Sequence, residues 1–171
     1  MSGLNADWDH ILEIAVVITT PKLEIVAEGP NRVIHVSDTI LEAMDPWNTS
    51  HHGESGLTMT SRESTNTCTS VEQEIVAFLA EHCVPKTAPL CGNSVFHDRL
   101  FLKRQMPRVV DFLHYRIIDV SSVKQIVRRW YPSDPRAFFQ KREAHRALAD
   151  IKESIAELAH YRTAFFKGDL G

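Results

Sequence analysis

The sequence predicts an α/β fold in which a mixed β-sheet is flanked by helices on both faces. Two strand-like runs come first, and shorter strands then alternate with helical patterns, the order expected of such layers. Hydrophobic residues make up 43% and charged residues 24% of the 171-residue chain. These ordinary globular values exclude disorder and suit one domain over residues 1–171.

The run Ile11–Thr19 is apolar almost throughout, as expected of a strand covered on both faces. Pro21-Lys22 suits a hairpin turn into a second run, Leu23–Val36, bent around Gly29-Pro30. The polar, Ser/Thr-rich stretch Asp45–Thr69 reads as short helical turns and loop. A helix is expected from Ser70, with Ser70 and Gln73 at capping-box spacing and Val71, Ile75, Phe78, Leu79 and His82 on one face. Pro85 and Pro89 frame a loop, and Pro89–Gly92 reads as a short buried strand leading into a helix over Val95–Met106. Tyr115–Val120 is another short strand. Ser122 and Gln125 form a second capping-box candidate, opening a helix with Val123, Ile126, Val127 and Trp130 on its apolar face and Pro132 at its end. The last helix, about Ala144 to Phe166, is expected to bury Ala144, Leu148, Ile151, Ile155, Leu158 and the stem of Arg162.

The formal net charge is 19 − 22 = −3. That speaks against coating a long nucleic acid with a broad basic surface, while leaving room for a pocket that grips one or two phosphates. Cys68, Cys83 and Cys91 have no Cys-x-x-Cys spacing and make an odd count, so neither a zinc site nor a disulfide framework is expected. The longest apolar run, Ile14 to Ile18, is too short to span a bilayer. Met1-Ser2-Gly3-Leu4-Asn5-Ala6-Asp7 reads as the inside of a turn rather than a leader. A cytoplasmic location is expected, with the mitochondrion as the alternative.

Three local features carry chemistry. Cys91-Gly92-Asn93-Ser94-Val95-Phe96-His97-Asp98 ends a strand in Gly-Asn-Ser and sets an Asp one turn into the next helix. His114-Tyr115-Arg116-Ile117-Ile118-Asp119-Val120-Ser121 brackets a second strand. His145-Arg146-Ala147-Leu148-Ala149-Asp150 sets a His at a helix start and an Asp in its second turn. Singly, each has a plainer explanation. An Asp in a first helical turn is favourable with the helix dipole alone. His145 and Asp150 stand about 140° apart on an ideal helix, so they converge only if His145 lies on the preceding loop. Tyr115 at a strand start suits a core as well as a substrate platform.

Together and in this order, they make the chain similar to the oligoribonucleases, a branch of the DEDDh exonucleases with the ribonuclease-H-like fold. The resemblance runs from residue 1 to about 167. It rests on Met1-Ser2-Gly3-Leu4, Ile11-Leu12-Glu13-Ile14-Ala15, Ala27-Glu28-Gly29-Pro30, Trp47-Asn48, Ser55-Gly56-Leu57, Arg128-Arg129-Trp130-Tyr131-Pro132 and Ala156-Glu157-Leu158-Ala159, besides the three features. It implies a 3′→5′ exoribonuclease that cuts RNAs of two to about five nucleotides to 5′-mononucleotides with two Mg²⁺ or Mn²⁺ ions. Oxygen ligands suit those ions, and a metal pair can aim a hydroxide and neutralise the attacking and leaving oxygens.

By the same resemblance, Asp98 and Asp150 are metal carboxylates and His145 is the general base. Leu4 and Trp47 hold substrate bases, and Ser94, Arg116 and Ser121 grip the 5′-phosphate. His114 and Tyr115 enter the neighbour's site across a homodimer two-fold. Short single-stranded RNA is the implied partner, with no membrane and no small-molecule cofactor.

The family's first motif, Asp-x-Glu, directly precedes a Met-Thr-Gly-Leu string that matches Met1–Leu4. Both acidic residues, and the central first strand that carries them, are therefore expected before residue 1. Glu13 has its own match in the next strand and is no substitute. On this reading the chain as it stands has impaired activity. The alternative is a catalytically dead protomer of the same fold that binds oligonucleotides. A DNA-directed exonuclease fits less well, because the His-Tyr-Arg and Trp-Asn strings belong to the oligoribonuclease branch.

Overall fold

In the computed structural model, which describes residues 1–140 and 146–166, the first two runs form an antiparallel hairpin. Its strands are β1 (Glu13–Thr19) and β2 (Ile25–Val33). The second strand starts two residues later than expected, because Leu23 adopts a left-handed backbone (φ 69°) inside the turn. Thr20 and Glu24 close that turn with a 2.9 Å backbone hydrogen bond. The register shifts between Ala15 and Val17, opposite the expected bend at Gly29-Pro30. Gly29 is needed there, since a Cβ would lie 2.4 Å from the Phe78 ring.

Three short helices follow, α1 (Asp38–Glu42), α2 (Pro46–Glu54) and α3 (Leu57–Glu63), in place of mixed turns and loop. Then come α4 (Cys68–His82), β3 (Leu90–Gly92), α5 (Val95–Gln105), α6 (Pro107–Phe112), β4 (Ile117–Asp119), α7 (Val120–Trp130), a single 3₁₀ turn at Pro135–Ala137 and α8 (Ala147–Phe165). β3 and β4 pair in parallel, Gly92 opposite Asp119. The strands are thus antiparallel and parallel in turn, a mixed α/β architecture, arranged among the described residues as two two-stranded ladders.

The hairpin carries helices on both faces. Ile14, Val16 and Ile18 pack against a core of Val71 and Ile75 from α4, Phe101 from α5, Val109 from α6, and Met106 between the last two. The two-residue period of a strand turns Glu13, Ala15 and Val17 the other way. There Glu13 meets Arg146 and Ala147 at the start of α8. A second cluster joins Leu12 and Val36 to Leu41, Met44 and Leu57, and a third gathers Val127, Ala137 and Tyr161.

Several expectations need correcting. β1 is half-buried along its length, and full burial falls on Ile11 and Leu12 just before it. Helix α4 begins at Cys68, because the capping box is Thr67 with Ser70. Helix α7 is capped by Asp119, whose carboxylate accepts the Ser121 N–H, so it starts ahead of Ser122. Trp130, expected on the buried face of α7, is 72% exposed, and Ile126 is also exposed. Cys91 in β3 and His82 at the end of α4 are exposed rather than buried. On α8 the fully buried residues are Glu157 and Tyr161, while Leu148, Ile151, Ile155, Leu158 and Arg162 are half-buried. Ala144 lies outside the described residues.

Candidate active site

Parallel pairing of β3 with β4 lays the turn Asn93-Ser94 beside Val120-Ser121. Ser94 takes a left-handed backbone (φ 51°) that β-carbon crowding disfavours. What holds it there is its own N–H, which donates to Asp119 Oδ1 at 3.1 Å and to Ser121 Oγ at 3.0 Å. Asp119 Oδ1 also accepts the Ser121 N–H at 2.8 Å, and the two serine hydroxyls stand 3.2 Å apart. The fold thus brings together two of the three residues expected to grip a phosphate.

Arg116 stands apart from that pair. It precedes β4 while Ser121 follows it in the first turn of α7, with the three strand residues between them, about 10 Å of extended chain. Its guanidinium lies over the Tyr115 ring, 5.3 Å from the centroid, and its N–H donates to His114 Nδ1. Tyr115 stacks on His114 with centroids 4.5 Å apart and is 67% exposed. His114, Tyr115 and Arg116 therefore form one projecting unit rather than part of the serine cradle.

Asp98 sits one turn into α5, half-buried. Burial pushes its carboxyl above the usual carboxylate range and outweighs its own backbone N–H, the Met1 amino group and His97, while Asp119 adds to the rise. A desolvated carboxyl of this kind is stabilised as the anion by an incoming cation. Asp150 is exposed in the first turn of α8, where its N–H donates to Arg146 O at 3.0 Å. Among the described residues there is no group of three or more His, Cys, Asp or Glu that could hold a metal ion. The chemistry of Asp98 and Asp150 suits a hard divalent cation, but two carboxylates make only part of a cation site. His145 lies outside the described residues.

Leu4 and Trp47 are 75% and 57% exposed. Trp47 stacks on His51 with centroids 4.0 Å apart. From the next position on α2, His52 Nε2 meets the Met1 carbonyl at 2.9 Å, which ties this helix to the segment that presents Leu4.

Three organising residues were not singled out from sequence. Asp9 folds the Leu4 loop by accepting from Ser2 Oγ and the Asn5 N–H, and a Cβ on Gly3 would lie 2.3 Å from its Oδ2. Glu13, with a side chain 5% exposed, binds Arg146 and the Ala147 N–H and so anchors the start of α8. Glu157, fully buried, accepts from Asn93 behind the serine pair. Glu13 and Glu157 are acids within otherwise apolar patterns, and that irregularity is the signal that could have marked them.

A family model described as exonuclease, RNase T, matches residues 1–158. The chain is similar to an oligoribonuclease of Shewanella loihica, 50% identical over 167 residues that cover 98% of this chain and 92% of that protein. An oligoribonuclease of Paracidovorax citrulli is 51% identical over 162 residues, 95% of this chain and 83% of that one. A mouse protein named oligoribonuclease, mitochondrial, is 48% identical over 167 residues, 98% and 70% of the two chains.

Proposed function

The chain belongs to the RNase T exonuclease family and, within it, to the oligoribonucleases, and on that premise we propose that it hydrolyses very short RNAs from the 3′ end to 5′-mononucleotides. The observation that carries this reading is the serine cradle with Asp98 one helical turn away on the same element. A cradle that holds the 5′-phosphate leaves a longer chain nowhere to pass, which accounts for a preference for two to about five nucleotides.

In this reading Ser94 and Ser121 donate to the terminal phosphate, and Arg116, seated over Tyr115 in this structure, is assigned to it by resemblance alone. Leu4 and Trp47 present exposed apolar surface to the bases, a stacking role suited to single strands. Exonucleases of this family depend on divalent cations in general, and the ion proposed here is Mg²⁺ or Mn²⁺, held in part by Asp98 and Asp150. When bound, such an ion polarises a phosphoryl oxygen and lowers the pKa of water. His145 is assigned the water's proton, a task suited to a group that titrates near neutrality.

Tyr115 and His114 act across the two-fold of a homodimer, and their exposure as a stacked pair supports that role. The cytoplasm is the proposed location. Among the described residues, no helix is long and apolar enough to cross a membrane.

The test is hydrolysis of a labelled diribonucleotide in Mn²⁺ by the protein carrying an Asp-x-Glu strand ahead of Met1, beside single-stranded DNA of about twenty nucleotides. Mononucleotide release from the diribonucleotide alone is expected. Faster cutting of the DNA would overturn the assignment.

A further inference from the structure

Glu157 is the most deeply buried carboxylate among the described residues, with no exposed surface, and no step above uses it. Three donors converge on its carboxylate. Lys124 Nζ lies 2.9 Å from Oε1, Tyr161 OH donates to the same oxygen at 3.1 Å, and Asn93 Nδ2 donates to Oε2 at 2.9 Å. All three partners are donors, the Lys124 ammonium among them, so both carboxylate oxygens face hydrogens. Burial, then the neighbouring Glu157 carboxylate, push the Tyr161 pKa up to about 12.

An ionised carboxylate accepts and cannot donate. It therefore dictates which end of the Asn93 amide faces it, and that end is the nitrogen. The same Nδ2 reaches Ser121 Oγ at 3.4 Å, and the Ser94 N–H reaches that oxygen at 3.0 Å. A hydroxyl oxygen has two lone pairs, and both are now engaged by N–H donors. The Ser121 proton is left to donate, either to Ser94 Oγ at 3.2 Å or outward.

We propose that Glu157 is a positioning residue that acts through Asn93 to make Ser121 an obligate donor, and so tunes the cradle for the 5′-phosphate of the bound RNA. The proposal rests on the reading of Ser94 and Ser121 as the phosphate grip. A glutamine at position 157 would break the dictate. A neutral amide offers either a donor or an acceptor, so the Asn93 amide can reverse and draw the Ser121 proton inward.

The experiment is calorimetric titration of the whole protein with a 5′-phosphorylated diribonucleotide and with its 5′-hydroxyl counterpart, in EDTA so that binding is read without cleavage. The quantity of interest is the ratio of the two affinities. Glu157→Gln is expected to lower that ratio about tenfold, the loss of one charge-assisted hydrogen bond, with the 5′-hydroxyl affinity unchanged. Asn93→Ala removes only the relaying amide and is expected to lower the ratio similarly. It decides the matter if melting curves show that Glu157→Gln fails to fold.

Ser121→Ala separates the two layers of the reading. If it leaves the ratio unchanged, the phosphate grip itself is wrong and the proposal falls with it. If it lowers the ratio while the folded Glu157 and Asn93 variants do not, the grip stands and the relay is overturned. Equal weakening of both dinucleotides by Glu157→Gln and Asn93→Ala would mark a merely structural role and also overturn it.

Discussion

The ion pair between Glu13 and Arg146 should be asymmetric in its energetics. Arg146 donates from Nε at 3.0 Å and from a terminal nitrogen at 2.7 Å to Glu13 Oε1, and the Ala147 N–H donates to Oε2 at 3.0 Å. The Glu13 side chain is 5% exposed and the Arg146 side chain 41%. Arg146→Ala strands a buried carboxylate, a change that costs ~3–5 kcal/mol in closed sites. The Ala147 N–H remains, so about 3 kcal/mol is expected. Glu13→Gln leaves a neutral amide of the same shape and a guanidinium that can turn to water, for a cost of about 1–2 kcal/mol.

Equilibrium urea unfolding measures both variants directly. Melting temperatures should follow at roughly 3 °C per kcal/mol for a chain of this size, so about 9 °C is lost in Arg146→Ala and about 3–6 °C in Glu13→Gln. RNA hydrolysis should fall in both, because the Asp150 N–H is held by the Arg146 carbonyl and a loosened helix start displaces that carboxylate. The reasoning is refuted if Glu13→Gln costs as much as Arg146→Ala, or if Arg146→Ala costs less than about 1 kcal/mol.

Three further outcomes can be checked with the same preparations. Burial raises the Asp98 pKa, so its contribution to stability is greatest below the ordinary carboxyl range and is lost as pH rises through the folded value. At neutral pH in EDTA, Asp98→Asn should therefore melt a few degrees above the parent while abolishing hydrolysis, and Mn²⁺ should stabilise the parent alone. Tyr161, raised from 10.0 to about 12, stays protonated in the fold while the unfolded chain ionises. About 2–3 kcal/mol of stability should accordingly drain away between pH 10 and pH 12, and urea titrations of Tyr161→Phe should lack that loss. Tyr115→Ala, at a side chain 67% exposed, should change the melting temperature by less than ~2 °C yet cut turnover of diribonucleotide more than tenfold. Unchanged turnover would remove Tyr115 from the mechanism.

The sequence by itself determined the layer order and most element positions, because those depend on periodicity, turn residues and local spacing. The hairpin, the bend at Gly29-Pro30, the long helices and the strand-turn-helix ending in Asn93-Ser94 were all legible this way. So was the family, since many short strings stand in the right order over nearly the whole chain.

Tertiary structure alone decided which residues at each position meet. Ser94 and Ser121 are 27 residues apart and touch only because β3 pairs with β4 in parallel. Arg116, five residues from Ser121, is turned toward Tyr115 instead. The apolar pattern of α8 pointed to Leu148, Ile151 and Leu158 as its core face, yet Glu157 and Tyr161 are the residues fully enclosed. Burial of an acid depends on donors from other elements. Lys124 and Asn93 come from α7 and the β3–α5 turn, and no periodicity within α8 can announce partners that arrive from elsewhere in the chain.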